Sequence, residues 1–201
     1  MGKSEKVVHI QYGRTATYLL EGAEGSALVD TDWAGALGSF FKALKTQVLA
    51  VEDIGYVLCT HWHPDHKGIV GGLERLGVVS VTFDVQLPYL HTSDAVFATD
   101  AKHRFTSVED TGIKVMPLSQ SRAFFASLGI AGEAVSTPSH SLDSISVLLD
   151  SGTFFVGDLA TPDMVAAYGE STPEQLLADW EPLRSRHPHR TCFAHAGELA
   201  C

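Results

Sequence analysis

The 201-residue chain is short of cysteine, of positive charge and of long apolar runs. Its three cysteines, Cys59, Cys192 and Cys201, form no CxxC pair, and their number is odd. That argues against a disulfide framework and for a reducing, cytoplasmic setting. Lysine and arginine total 14 against 24 aspartates and glutamates, a net charge of −10. Binding long nucleic acids calls for a basic face, which this balance does not supply, so no nucleic-acid partner is expected. No apolar run approaches the roughly 20 residues of a membrane span, so no membrane partner is expected either. The opening "MGKSEKVVHI" lacks the apolar stretch of a secretory signal, and Lys6 stands where a myristoylation pattern needs Ser or Thr. What the chain does have is apolar content, 45% hydrophobic against 19% charged, which is ample for a core. No repeat, low-complexity tract or linker divides it, and residues 1–201 are expected to form one domain.

Short β-branched runs recur along the chain: "VVHIQY", "TATYLL", "SALVD", "YVLCT", "VVSVTF", "IKVMP", "EAVST", "SISVLLD", "TFFVG" and "TCFA". Most are bounded by Gly, Pro, Asp or Ser, and they read as strands. "LLEGAEGSALV" and "LLDSGTFFV" read as hairpins. Between them, "WAGALGSFFKALKTQ" has helical spacing with Asp32 as its N-cap. "HKGIVGGLERLG" and "SQSRAFFASLG" are also helical in pattern. "STPEQLLADWEPLRSR" carries Thr172 as N-cap, Pro173 at N1 and Gln175 at N3, a capping box. Residues 84–112 are polar and ambiguous, and read as a short helix with loops. The hairpins rule out a purely parallel sheet, so two sheets with helices outside are expected.

Chemistry concentrates in "VLCTHWHPDHKG", where His61, His63, Asp65 and His66 fall within one six-residue span at a strand end. Side chains two apart on an extended segment point the same way, so His61 and His63 can converge on one point. Pro64 breaks the strand, and Asp65 and His66 can aim at a second point nearby. Imidazole and carboxylate suit zinc, iron or manganese. Further ligands are expected at other strand ends: His140 in "AVSTPSHS", Asp158 in "TFFVGDL" and His195 in "TCFAHAGE". Each of these alone would more often be structural or solvated; the dense cluster makes them candidates. His9, His91, His103, His187 and His189 are read as non-ligands, and Cys59 as a buried strand residue.

"THWHPDH", "TPSHS", "VGDL" and "FAHAGE", in that order, resemble the metallo-β-lactamase superfamily across nearly the whole chain. The resemblance implies a mixed α/β fold, the four-layer αββα sandwich. It implies that His61, His63 and His140 hold one metal, that Asp65, His66 and His195 hold a second, and that Asp158 bridges them. Asp30, ending "SALVD", matches the family's early aspartate and would orient a ligand histidine. Two divalent ions are implied, zinc first, with iron or manganese as alternatives. The implied activity is that of a dinuclear hydrolase whose metal-bridging hydroxide attacks a small ester, thioester or lactone, with Asp65 orienting the nucleophile.

Departures narrow this reading. Asp158 stands where true β-lactamases carry Cys or Ser, which resembles the thioesterase, lactonase and phosphodiesterase branches. His63 stands where flavodiiron reductases carry Glu. Thr161 stands near where quorum-lactone hydrolases carry Tyr. The ligand set is similar to that of glyoxalase II-like enzymes, in which an added helical domain follows the last histidine; here residues 196–201 follow it. Two alternatives remain, a small-phosphodiester hydrolase and a di-iron module that binds O₂ or NO. A small-molecule substrate is the expected partner. Trp33, Trp62 and the aromatics Tyr89, Phe97 and Phe105 are the residues from which loop selectivity is expected, with core packing the competing reading for Trp62 and the favoured one for Tyr89, Phe97 and Phe105.

Overall fold

A computed structural model describes residues 5–100, 102–161 and 172–200. Cys201 lies outside them. The β-branched runs form strands as expected. Lys6–Ile10 (β1), Thr17–Glu21 (β2), Ser26–Val29 (β3), Tyr56–Leu58 (β4), Val79–Phe83 (β5) and Lys114–Met116 (β6) make a six-stranded sheet in sequence order. β1 to β3 pair antiparallel and β3 to β6 parallel. Gly132–Ser136 (β7), Ile145–Leu149 (β8), Thr153–Gly157 (β9), Arg190–Phe193 (β10) and Gly197–Ala200 (β11) make the second sheet, ordered β11-β10-β9-β8-β7. Only its β9–β10 pair is parallel. Both expected hairpins are present, with Glu21 opposite Ser26 and Leu148 opposite Phe154.

The layers follow from which faces are apolar. Leu20, Val29, Leu58 and Phe83 of the first sheet pack with Val147, Leu149, Phe155 and Cys192 of the second in one buried cluster. The opposite face of the first sheet, including Leu19, Leu28 and Val57, packs on Phe40 and Leu44 of Leu37–Thr46 (α1) and on Leu73 of Val70–Glu74 (α3). The opposite face of the second sheet packs Leu148, Phe154 and Val156 against Leu176, Trp180 and Leu183 of Pro173–Arg184. Each such side chain contributes about 1.5–3 kcal/mol on burial. Two mixed sheets face each other with helices outside.

Several local expectations need correction. The helix after Asp32 begins only at Leu37, with Ala36 as its N-cap. Asp32 instead accepts hydrogen bonds from the backbone N–H groups of Arg14, Thr15 and Trp33. The "HKGIVGGLERLG" helix is split into Pro64–Lys67 (α2) and α3 at Gly68 and Ile69. Residues 84–112, by contrast, hold the expected short helix, Asp94–Ala98 (α4). "SRAFFAS" forms Ser121–Ser127 (α5), which makes Pro173–Arg184 α6. At the start of α6, Thr172 Oγ1 accepts from Gln175 N, while Gln175 Nε2 donates to Asp179 at 3.0 Å and its Oε1 accepts no bond from the Thr172 N–H. The capping box is half formed: the Gln175 amide is turned toward the buried Asp179 carboxylate, and only the Thr172 half of the box is made.

The 84–112 segment is tied down by charge. The Lys67 ammonium, fully buried, donates to Leu90 O and pairs with Asp94. His91 bridges Asp94 at 2.9 Å and Asp110 at 2.8 Å, and Ser107 Oγ donates to Asp94 at 2.7 Å. The hydrogen bond to Asp110 raises the His91 pKa; partial burial opposes it and Asp94 reinforces it. A raised folded-state pKa stabilises below the unfolded value and is lost as pH rises through the folded one. Amide exchange across 87–98 should therefore accelerate a few-fold beyond its intrinsic pH dependence as pH climbs above the histidine range. His91→Gln should abolish that excess; an unchanged profile in the variant would contradict the bridge.

Candidate metal centre

All the sequence-predicted site residues stand at one edge of the sandwich, at the carboxyl ends of strands. Asp30 follows β3 directly, and its N–H bonds Leu58 O at 2.9 Å, which fixes it beside the end of β4. Asp30 has φ of 59°, a left-handed conformation that Asp tolerates better than most side chains. Its carboxylate accepts Thr60 N at 2.7 Å and Thr60 Oγ1 at 2.9 Å, and approaches His66 Nδ1 at 3.3 Å. Thr60 Oγ1 also lies 3.2 Å from His61 Nδ1. The expected orienting role of Asp30 therefore has a geometry: it reaches one ring directly and the other through Thr60. With Nδ1 engaged, Nε2 of both rings is left to face Asp158.

His63 is the extended N-cap of α2 and Pro64 is its first residue, so the chain turns where the proline was expected to turn it. Asp65 and His66 lie within that helix. His140 comes from the β7–β8 connection, Asp158 follows β9 and His195 follows β10. Gly157, just before Asp158, has φ of 57°, and a Cβ there would lie 2.5 Å from Thr60 Oγ1. Only glycine lets β9 come so close to the Asp30–Thr60 pair.

The rings of His61, His63 and His140 have centroids 4.4–5.1 Å apart. His63 presents Nδ1, which lies 3.2 Å from His140 Nε2. His195 Nε2 is 3.1 Å from Asp65 Oδ2, and its Nδ1 donates to Arg14 O at 3.3 Å. Asp158 divides its oxygens. Oδ2 faces His61 at 3.9 Å and His140 at 3.6 Å, while Oδ1 faces His66 and His195, both at 3.5 Å. Donor atoms within 4.8 Å of one another define three groups: His61, His63, His140; His61, His66, Asp158; and Asp65, His66, His195. The first and third are the two triplets implied by the resemblance, and the second joins them through Asp158.

The donor set fits cations. His61 Nε2, His66 Nε2 and Asp158 Oδ1 are buried with no hydrogen-bond partner. Orphaned buried polar atoms cost roughly 1–3 kcal/mol each, and converging lone pairs are relieved by a positive ion. Burial, then the neighbouring His66, His140 and His63, pushes the His61 pKa well down, leaving a neutral imidazole with a lone pair to give. Burial also pulls on His66, but Asp30 and Asp158 outweigh it and drive its pKa well up. The hydrogen bond to Asp65 raises His195. Asp65 is lowered to about 2: burial opposes, and His195 and His66 overcome it. Protons on His66 and His195 thus balance the Asp65 and Asp158 carboxylates until a cation displaces them.

Several supports were not anticipated. Asp143, buried, accepts Trp62 N at 2.6 Å, and Gln86 Nε2 donates to Cys59 O, Thr60 O and Asp143 O at 3.0–3.2 Å. Asp179 of α6 accepts Ser139 N at 2.7 Å, bracing the turn that carries His140. A lone Gln or Asp in a polar stretch gives no signal of such a role. Trp62 is 1% exposed and donates to Thr82 Oγ1, so it packs beneath the motif rather than contacting substrate. Phe97 is buried, stacked on Phe105 with centroids 3.9 Å apart and edged by Trp33 at 5.2 Å. Cys59 is buried, as expected, and donates to His66 O. His9, His91, His103, His187 and His189 belong to none of the three donor groups among the described residues.

The family model described as the metallo-beta-lactamase superfamily matches residues 11–195. This chain belongs to the metallo-beta-lactamase superfamily. A Beta-lactamase-like protein 2 homolog of Drosophila melanogaster is 29% identical to this superfamily member over 194 residues, 92% of the chain and 59% of that protein. An atrochrysone carboxyl ACP thioesterase of Aspergillus fumigatus is 28% identical over 172 residues, 83% of the chain and 32% of that protein. The solved structure of TTHA1623, in a di-iron-bound form, shares the fold with a TM-score of 0.72 at 22% identity, covering 97% of this chain and 94% of that one. The chain spans between 29% and 59% of the length of the curated relatives it matches. No helix among the described residues is long and apolar enough to cross a membrane.

The Asp30 network generates a test. Asp30→Asn keeps an acceptor for Thr60 N but turns an amide donor toward the His66 ring. The variant should lose ~1–3 kcal/mol of stability in denaturant melts and roughly 10- to 100-fold in metal affinity by chelator competition. Unchanged metal affinity would remove Asp30 from the site.

Proposed function

We propose that the chain is a dinuclear metal-dependent hydrolase acting on a small ester, thioester or lactone. The observation that carries this is the division of the two Asp158 oxygens between two sets of imidazole nitrogens. His61, His63 and His140 with Asp158 Oδ2 would hold one ion; Asp65, His66 and His195 with Oδ1 would hold the other. Such a pair, when bound, activates a water as nucleophile and polarises the substrate carbonyl.

The remaining work falls to the chain itself. Asp65, with a pKa of about 2, is ionised throughout the physiological range. It is a weak base and a good acceptor, so its role is to orient the attacking water by accepting a hydrogen bond rather than to take its proton. Asp30 and Thr60 hold His61 and His66 so that no reorganisation accompanies the reaction. The Asp65 and His195 side chains are 37% and 38% exposed, against 1% and 0% for His61 and His66, so substrate approaches from the Asp65–His195 side.

The thioesterase relative supports thioesters within the proposed substrate range. Zinc suits the all-imidazole-and-carboxylate donor set, and manganese or iron suits it too; the di-iron form of TTHA1623 supports iron as the alternative. Zinc-loaded protein is colourless and iron-loaded protein absorbs in the visible, so elemental analysis with a spectrum decides the metal.

The metal-replete protein should turn over members of a thioester, ester and lactone panel faster than bis-p-nitrophenyl phosphate. Full metal occupancy with no turnover of any carbonyl ester would overturn the hydrolase reading. Asp158→Ala should bind no more than one ion per chain and lose at least ~100-fold in kcat/KM. Survival of both ions and activity would remove Asp158 as the bridge.

A further inference from the structure

The loop between β1 and β2 is built onto the open side of the centre with unusual firmness for an exposed segment. Ala16 N donates to Ala194 O at 2.8 Å, next to His195. His195 Nδ1 donates to Arg14 O at 3.3 Å, and Thr15 Oγ1 donates to Asp65 O at 2.7 Å. The Arg14 and Thr15 N–H groups both donate to the Asp32 carboxylate. Gly13 admits nothing larger, because a Cβ there would sit 1.4 Å from Asp32 Oδ2. The backbone of Arg14 is thus held between the two exposed ligand residues, Asp65 and His195.

The Arg14 side chain uses none of this. It is exposed, and no carboxylate among the described residues pairs with its guanidinium. Asp32, the nearest acid by bonding, already accepts the Arg14, Thr15 and Trp33 N–H groups. Among the described residues, Arg122, Arg186 and Arg190 are consumed by carboxylates, and Arg75, Arg104 and Arg184 are not, but of the unpaired arginines it is Arg14 whose backbone is hydrogen-bonded to a candidate ligand, His195. In a chain of net charge −10, an anionic substrate is repelled unless a local cation receives it. A single guanidinium matches one planar carboxylate, fork to fork.

We infer that Arg14 is the specificity residue of this centre and selects substrates that carry a carboxylate near the bond to be cut. The inference rests on the hydrolase reading for its chemistry, and on the loop geometry for its place. Substrate enters on the Asp65–His195 side, the anion meets Arg14, and the scissile carbonyl is presented to the centre.

The test compares S-acetyl-3-mercaptopropionate with its primary amide, S-acetyl-3-mercaptopropionamide, on the metal-loaded protein. Arg14→Met should lower the carboxylate-to-amide ratio of kcat/KM by roughly 10- to 100-fold, mainly through KM, with Arg14→Lys between. A ratio that stays constant, whether both rates fall or neither does, overturns the inference. Calorimetric binding of 3-mercaptopropionate and 3-mercaptopropionamide to the same metal-loaded proteins should show the same change in ratio without any turnover. If the wild type cleaves neither thioester, the hydrolase reading fails for this class while the binding ratio still decides Arg14.

Discussion

Three buried atoms that have nothing to bond, His61 Nε2, His66 Nε2 and Asp158 Oδ1, are the constraint on which the rest of the structure turns. A fold does not bring lone pairs together at no cost. Here the cost is met by a shell that leaves the rings no alternative. Asp30 bonds Thr60 and faces His66 Nδ1, and Thr60 lies against His61 Nδ1. Gly157 lets β9 close onto that pair. Gln86 and Asp143 then stitch the loop after β4 to the turn before β8, and Ile145 N bonds Thr60 O across the sheets at 2.8 Å. Each of these contacts makes sense as a device for holding the three atoms in place.

Much of this was legible in the sequence because its signals were local. β-branched runs between turn residues located the strands from β1 to β10, and the ligand-type residues at their ends located the edge where they meet. β11 was missed: "GELA" is four residues with a glycine and a glutamate, and it becomes a strand by pairing with β10, not by its own pattern. Asp32 read as a helix cap because an Asp before an apolar-periodic run is one in most settings. Tertiary competition took its carboxylate for the β1–β2 loop. The Gln175 side chain is likewise turned by a tertiary partner, its amide donating to Asp179. The supports Gln86, Asp143 and Asp179 were invisible because each acts on a backbone group 26 or more residues away.

The triplets of candidate ligands also differ in surroundings. His61 and His66 are sealed, whereas Asp65 and His195 are more than a third exposed. The sealed side sits on the motif's own scaffold, with Trp62 beneath it. The open side is bordered by the β1–β2 loop and by chain that follows β10. Superfamily membership speaks to the sealed side, since the fold and its motifs are what relatives share. On the open side a loop can change its side chains without disturbing the Asp30–Thr60 network.

The carboxyl-end edge draws Asp30, His61, His63, Asp65 and His66 from the first sheet, and His140, Asp158 and His195 from the second. Neither half of the polypeptide holds a complete set of donors. Any ion seated across Asp158 is therefore a clasp between the two sheets, and its binding free energy is also docking free energy. The donor group of His61, His63 and His140 with Asp158 is complete once the chain has been made just past the end of β9, whereas the group of Asp65, His66 and His195 needs it past β10, so the two halves of the clasp would become available in that order.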